Sequence, residues 1–233
     1  KKVDFRTVRN LTEEAMEISQ YLDLEDILKM TRDIDIYTYS HSLHVGILAN
    51  KFGKWLNLKE NKICNLTTAA LLHDIGKSRI KKEIITRPDS LTQEEYEEVK
   101  RHSEYGYELL KKSSRFSKTI MAGVLTHHER YHGGGYPLGL KKEEIPLFGR
   151  IIAICDTFDA LTTDRPYQKA VSPFTAVKIM ETDFDSFDHR LKMLFIEKIP
   201  YSLIGNNVIL SDGQLARVVF INPGHPEAPI VKT

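Results

Sequence analysis

A chain of 233 residues, 41% hydrophobic and 28% charged, is long enough to bury a core and sits near the upper size of one domain. Lysine and arginine number 33 against 32 acidic residues, so a formal charge of +1 gives no reason to expect binding to nucleic acid polymers or membranes, and any basic site is local. No stretch approaches the roughly 20 apolar residues that span a bilayer, and the opening KKVDFRTVRN lacks the apolar core of a signal peptide, so a cytoplasmic protein without membrane contact is expected. A start at Lys1 without Met fits a piece of something longer, with a sensor segment ahead of it.

Apolar residues at helical spacing predict amphipathic helices from Asn10 to about Met30 and from Ile36 to Leu56. A further helix is expected from about Glu60 to Ile75, then the basic KSRIKKEI and a turn at Arg87, Pro88 and Asp89. Thr92 with Glu95 three residues on has the form of a capping box, which predicts one helix from there through His102 to Leu109. Helix resumes around Lys118–His127 and stops at Gly133, Gly134 and Gly135 with Pro137 just beyond, a segment expected to be a mobile, exposed loop. Another helix is predicted over Phe148–Leu161, and Ser172–Pro173 is an N-cap and first-turn pair opening one more. Beyond Pro200, Val208–Leu210, Asp212–Gly213 and Val218–Ile221 predict a hairpin. Cys64 and Cys155 each lie in an apolar helical pattern without neighbouring cysteines, as buried free thiols do.

The chemistry is carried by histidine and aspartate. His41, His73–Asp74, His102, His127–His128 and Asp156 fall on or at the end of different predicted helices, spaced by about the length of a helix and its return, so a bundle can bring them to one centre. A lone histidine on an apolar face is usually a packed core residue, but adjacent helical residues point about 100° apart, so His127 and His128 share a centre only near a helix end, which HGGGYP supplies. Gly76 does the same for His73 and Asp74. Imidazole and carboxylate ligands suit Fe, Mn, Ni, Co or Zn, and a carboxylate can bridge two ions, the natural place for Asp74.

The motifs HSLHV, LLHDIGK, RHSEYGYELL, HHERYHGGGYP and CDTFDALTTDRPY, in this order and spacing, resemble the HD-GYP branch of the HD-domain phosphohydrolases over roughly Tyr37 to Tyr167. The resemblance implies an α-helical bundle, and with the patterns on either side the expected organisation is an all-α fold: an HD-domain helical bundle over residues 36–200, a helical segment 1–35 packing on it, and a small β-rich tail over 201–233 with a hairpin. It implies hydrolysis of cyclic di-GMP to the linear dinucleotide or GMP by water activated between two divalent ions, Fe or Mn first, with Ni, Co or Zn as alternatives. Carried over by position, His41, His73, Asp74 and Asp156 would hold one ion, and His102, His127, His128 and the shared Asp74 the other. Lys77 would contact phosphate, and Arg165 would seat the ligand near Asp159, which falls three residues after Asp156 on nearly the same helical face and is read as either facing the ligand or standing behind the metal ligands. Gly135, Tyr136 and Pro137 would form a surface loop meeting partners such as a diguanylate cyclase domain.

Tyr37 stands where some members carry an acidic ligand for a third metal, so two ions are expected. His132 replaces an acidic residue before the GYP glycine and is read as loop surface, and Gln168 replaces an outer lysine, with Lys169 beside it. A weakly catalytic signalling module and a hydrolase for another cyclic dinucleotide or nucleotide are the competing readings.

Overall fold

The computed structural model describes residues 3–21, 37–87, 89–164 and 169–233, without the side chains of residue 21 or residues 37–39. The expectations for Leu22 to Met30, Pro88, the Tyr37 side chain, Arg165 and Gln168 lie outside the described residues, as does the boundary at 35–36.

Helices α1 (Phe5–Tyr21), α2 (Tyr37–Trp55) and α3 (Glu60–Leu71) pack on one another. Val8, Thr12, Ala15 and Ser19 are the buried stripe of α1, and its polar members are satisfied across the interface, Thr12 Oγ1 lying 3.1 Å from Thr68 Oγ1 and Ser19 Oγ donating to Asn50 Oδ1 at 2.7 Å. A 3-10 turn, Ile75–Arg79, and a short α4 (Lys82–Ile85) follow. The capping box at Thr92 forms as predicted, but the helix it opens is two: α5 (Gln93–Lys100) and α6 (His102–Ser113), broken at Arg101. Helical spacing continues through that break, which is why the pattern alone did not reveal it. α7 (Lys118–Thr126), α8 (Leu147–Thr162), α9 (Pro173–Glu181), capped by Ser172, and α10 (His189–Tyr201) complete the bundle.

Nearly every turn of α8 is buried, as an apolar sequence such as FGRIIAIC requires. Phe158 on α8 meets Phe195 on α10 at 5.2 Å between ring centroids, and Phe52 on α2 meets the same ring at 5.4 Å, so three helices share one aromatic centre. Lys192, on the buried face of α10, places Nζ against the carbonyls of Glu181 (3.0 Å) and Asp183 (2.6 Å), closing the C-terminal end of α9.

The expected hairpin forms and gains a third strand: β1 (Asn207–Ile209), β2 (Leu215–Asn222) and β3 (His225–Lys232) make an antiparallel sheet in the order β1-β2-β3. Ala216, Val218 and Ile221 turn inward, and the sheet packs on α9 and α10. Pro226 and Pro229 hid β3 from a sequence reading, since proline demotes a strand, but an edge strand tolerates it. Among the described residues no helix is long and apolar enough to cross a membrane.

Cys155 is buried on α8 and burial pushes its thiol well up, whereas Cys64 is only partly covered. A disulfide-exchange reagent is therefore expected to modify Cys64 alone in the folded protein and both thiols in denaturant, read as released chromophore per chain.

Candidate metal centre

Four of the five histidines of the cluster, His41, His73, His102 and His127, are aimed by a hydrogen bond at Nδ1. His73, two residues past α3, His102, at the start of α6, and His127, directly after α7, use the carbonyls of Ala70, Val99 and Val124, each at 2.7 Å and three residues back. A carbonyl can only accept, so each of these imidazoles donates through Nδ1 and leaves a lone pair on Nε2. His102 Nε2 and His127 Nε2 then face each other at 3.2 Å, two acceptors in a buried space.

Asp74, at the start of the 3-10 turn, lies between the two halves. Its Oδ2 is 3.4 Å from His73 Nε2 and 3.8 Å from His41 Nε2, and its Oδ1 is 3.3 Å from His102 Nε2. Lys77, one turn on, donates to Oδ2 at 2.5 Å from a side chain about a third exposed. Asp156 on α8 reaches the same place, with Oδ1 3.2 Å from His41 Nε2 and 4.0 Å from His73 Nε2. Ligand atoms of Asp74, His102, His127 and His128 all lie within 4.8 Å of one another, as do those of His41, His73 and Asp74. These are the two groups expected from the sequence, joined at Asp74, with Asp156 beside the second.

The protonation of four of the five histidines fits ligation. Burial holds the His127 imidazole well below its ordinary value, lowers His73 and His102, and takes His128 down to about 3, so all four are neutral at pH 7. Burial alone would raise the carboxyl of Asp74, but Lys77 and the surrounding histidines outweigh it and hold Asp74 well below the usual carboxylate range. At Asp156 the hydrogen bond with His41 likewise overcomes burial. His41 is the exception: burial acts against its charged form, yet Asp156 and Asp159 push it up to about 10, so it is an imidazolium at pH 7 and gives up its Nε2 proton when it ligates.

Among the described residues, His73 Nε2 and Asp74 Oδ1 are buried without a hydrogen-bond partner. Buried acceptors left unpaired and aimed at one another are costly, and a cation between them removes the cost. The donor set of imidazole nitrogen and carboxylate oxygen fits divalent metal.

The structure refines two expectations. Of its two readings Asp159 takes the one behind the metal ligands: fully buried on α8, it has Oδ2 2.6 Å from His41 Nδ1 and Oδ1 2.9 Å from His44 Nδ1. The i, i+3 spacing from Asp156 gave the helix face but not the depth. The GYP segment is also not a free surface loop. Gly135 lies against the chain at Glu129–Arg130, where a Cβ would come 2.3 Å from the Arg130 nitrogen. Tyr136 stacks on His128 at 4.7 Å and 29°, with its ring 6.4 Å from that of His102, and Pro137 follows through a cis peptide bond. Burial pushes the Tyr136 phenol up, so it stays neutral. His132 is exposed, as expected.

Glu129, which the sequence reading passed over, holds this loop. It is 2% exposed, and its carboxylate accepts from the backbone nitrogens of Leu138 (2.7 Å) and Leu140 (3.0 Å). Its signal was its place after HH and before a run of loop N–H groups with no partners of their own. Glu129→Ala is expected to cost about 2–4 kcal/mol in urea denaturation, from two lost bonds to a charged acceptor.

A family model described as HD domain matches residues 17–191. The chain is 36% identical over 185 residues to a cyclic di-GMP phosphodiesterase of Pseudomonas aeruginosa, covering 79% of this chain and 45% of that protein. It is 39% identical over 145 residues to the 3'3'-cGAMP-specific phosphodiesterase 3 of Vibrio cholerae, covering 62% of this chain and 31% of that one. The chain spans about half or less of the length of the curated relatives it matches. An HDG"Y"P protein from Bdellovibrio bacteriovorus superposes with a TM-score of 0.66 at 18% identity, over 83% of this chain and 63% of that one, and so shares the fold. With the matched segment running through every helix that supplies the histidine and aspartate cluster, the chain belongs to the HD-domain family.

Proposed function

We propose that this chain is a metal-dependent phosphodiesterase that hydrolyses cyclic di-GMP to the linear dinucleotide or GMP, with two divalent ions, Fe or Mn, held by His41, His73, Asp74 and Asp156 on one side and His102, His127, His128 and Asp74 on the other. The observation that carries it is the convergence of lone-pair-bearing Nε2 atoms on a carboxylate whose Oδ1 has no hydrogen-bond partner. Bound ions of this kind supply Lewis acidity toward a phosphate oxygen and lower the pKa of a water.

The protein's part is positioning. Backbone carbonyls fix His73, His102 and His127, so little reorganisation accompanies metal binding. Lys77 carries the positive charge nearest Asp74 and is exposed enough to meet a phosphate, where it would offset charge gathering on the non-bridging oxygens. Tyr136, stacked on His128, shields one side of the cluster from water. Lys77→Met is expected to lower kcat/KM by about 10²–10³-fold with metal content unchanged.

The test is chromatography of cyclic di-GMP incubated with protein loaded with Mn²⁺ or, under reducing conditions, Fe²⁺. Linear dinucleotide or GMP supports the reading, and a loaded protein with no turnover overturns it in favour of a signalling module. One relative named for 3'3'-cGAMP favours a second substrate reading, so that dinucleotide is assayed in parallel, and faster turnover of it would reassign the substrate. Gly134, Leu138 and Gly139 are exposed in the loop and open to a partner such as a diguanylate cyclase domain, and the compartment proposed for the reaction is the cytoplasm.

A further inference from the structure

His41 is not aimed in the same way as His73, His102 and His127. His73, His102 and His127 are each oriented by the carbonyl three residues back, so their aim belongs to the local chain. His41 is oriented by a side chain on another helix. Its Nδ1 meets Asp159 Oδ2 at 2.6 Å while its Nε2 meets Asp156 Oδ1 at 3.2 Å, so two carboxylates one turn apart on α8 grip one imidazole from both edges. His44, one turn beyond His41 on α2, joins the other oxygen of Asp159 at 2.9 Å, and Thr163 Oγ1 donates to that oxygen at 3.2 Å. Asp159 and His44 are fully buried, and His44 Nε2 has no partner among the described residues.

A buried carboxylate shared by two imidazoles is costly unless both donate to it, and both can do so only with Nδ1 protonated. That arrangement fixes His41 with Nε2 toward Asp74 and Asp156. We infer that Asp159 and His44 are a positioning pair for His41, so that one of the two metal positions depends on the register of α2 against α8 while the other does not. This rests on the two-ion reading above. It makes the His41 side the selectively labile one: a change that shifts α8 by a fraction of an ångström empties that position and leaves His102, His127 and His128 with their ion. Outer partners of this kind typically change metal affinity by about 10–100-fold.

The experiment is titration of metal-stripped protein with Co²⁺, followed by calorimetry and by the visible absorption of the bound ion. The wild-type chain is expected to take up two Co²⁺. Asp159→Asn is expected to weaken one of them by about 10–100-fold and leave the other unmoved, with the second ion's contribution missing from the absorption spectrum at low Co²⁺. Adding His127→Ala to Asp159→Asn is expected to remove the ion that remained. His44→Leu keeps the carboxylate of Asp159 and removes one of its two imidazole donors with an apolar side chain suited to a buried place, and is expected to weaken the same position by less. Equal weakening of both ions, or two tight ions in both variants, overturns the positioning role. A wild-type chain that binds fewer than two Co²⁺ overturns the two-ion reading, and this inference with it.

Discussion

Asp74→Ala is expected to lower kcat/KM for cyclic di-GMP by at least about 10³-fold, a loss of about 4 kcal/mol of transition-state stabilisation, and to empty both metal positions. The reason is placement. Asp74 is the residue common to both groups of ligand atoms, with Oδ2 toward His73 and His41 and Oδ1 toward His102. Its loss also leaves Lys77 without its partner, moving a cation nearer to histidines already held neutral. Asp74→Asn separates charge from shape: it keeps the size and loses the anion, and the same collapse is expected, because bridging needs a carboxylate. Metal content after loading and chromatography of the product are the two readouts. Activity above a tenth of wild type with a single bound ion would show that the halves work independently and that Asp74 does not join them.

The parts of this arrangement that were legible from the sequence are those fixed by spacing. Histidines about one helix-and-return apart must meet if the helices pack antiparallel, and the HH pair at a glycine-rich helix end has one geometry that satisfies both rings. What was not legible depends on depth and on long-range pairing. Asp159 shares a helix face with Asp156, and no periodicity tells whether the second carboxylate lies in front of an imidazole or behind it. Glu129 reads as a surface glutamate until the loop folds back over it and presents the nitrogens of Leu138 and Leu140. The break at Arg101 is a matter of one residue's backbone inside an unbroken apolar pattern, yet it lets His102 begin a new helix with its imidazole anchored on Val99. The third strand failed for a different reason: two prolines argue against a central strand, and only the edge position of β3 makes them acceptable.

Gly76→Ala is the second substitution with a large expected effect, and it acts through backbone alone. A Cβ at this position would stand 1.9 Å from the His102 carbonyl oxygen and 2.5 Å from the Gly106 nitrogen, both main-chain atoms of α6 that no rotamer change can move. The 3-10 turn must therefore retreat from α6 by more than an ångström, and the cost is expected to be about 3 kcal/mol or more in urea denaturation of the metal-free protein. That same contact sets the 3.3 Å between Asp74 Oδ1 and His102 Nε2, because Asp74 opens the turn and His102 opens the helix it touches. Loss of stability and loss of metal should consequently appear together, the ion on the His102 side being released before the one on the His41 side. Gly134→Ala is the control: its φ of +81° also favours glycine, but nothing lies within 4 Å of the added carbon, so about 1–2 kcal/mol of backbone strain is expected with full metal content. If Gly76→Ala weakened the fold but kept both ions, the close approach of the turn to α6 would be packing only, and the distance across the metal centre would have to be held by the side chains themselves.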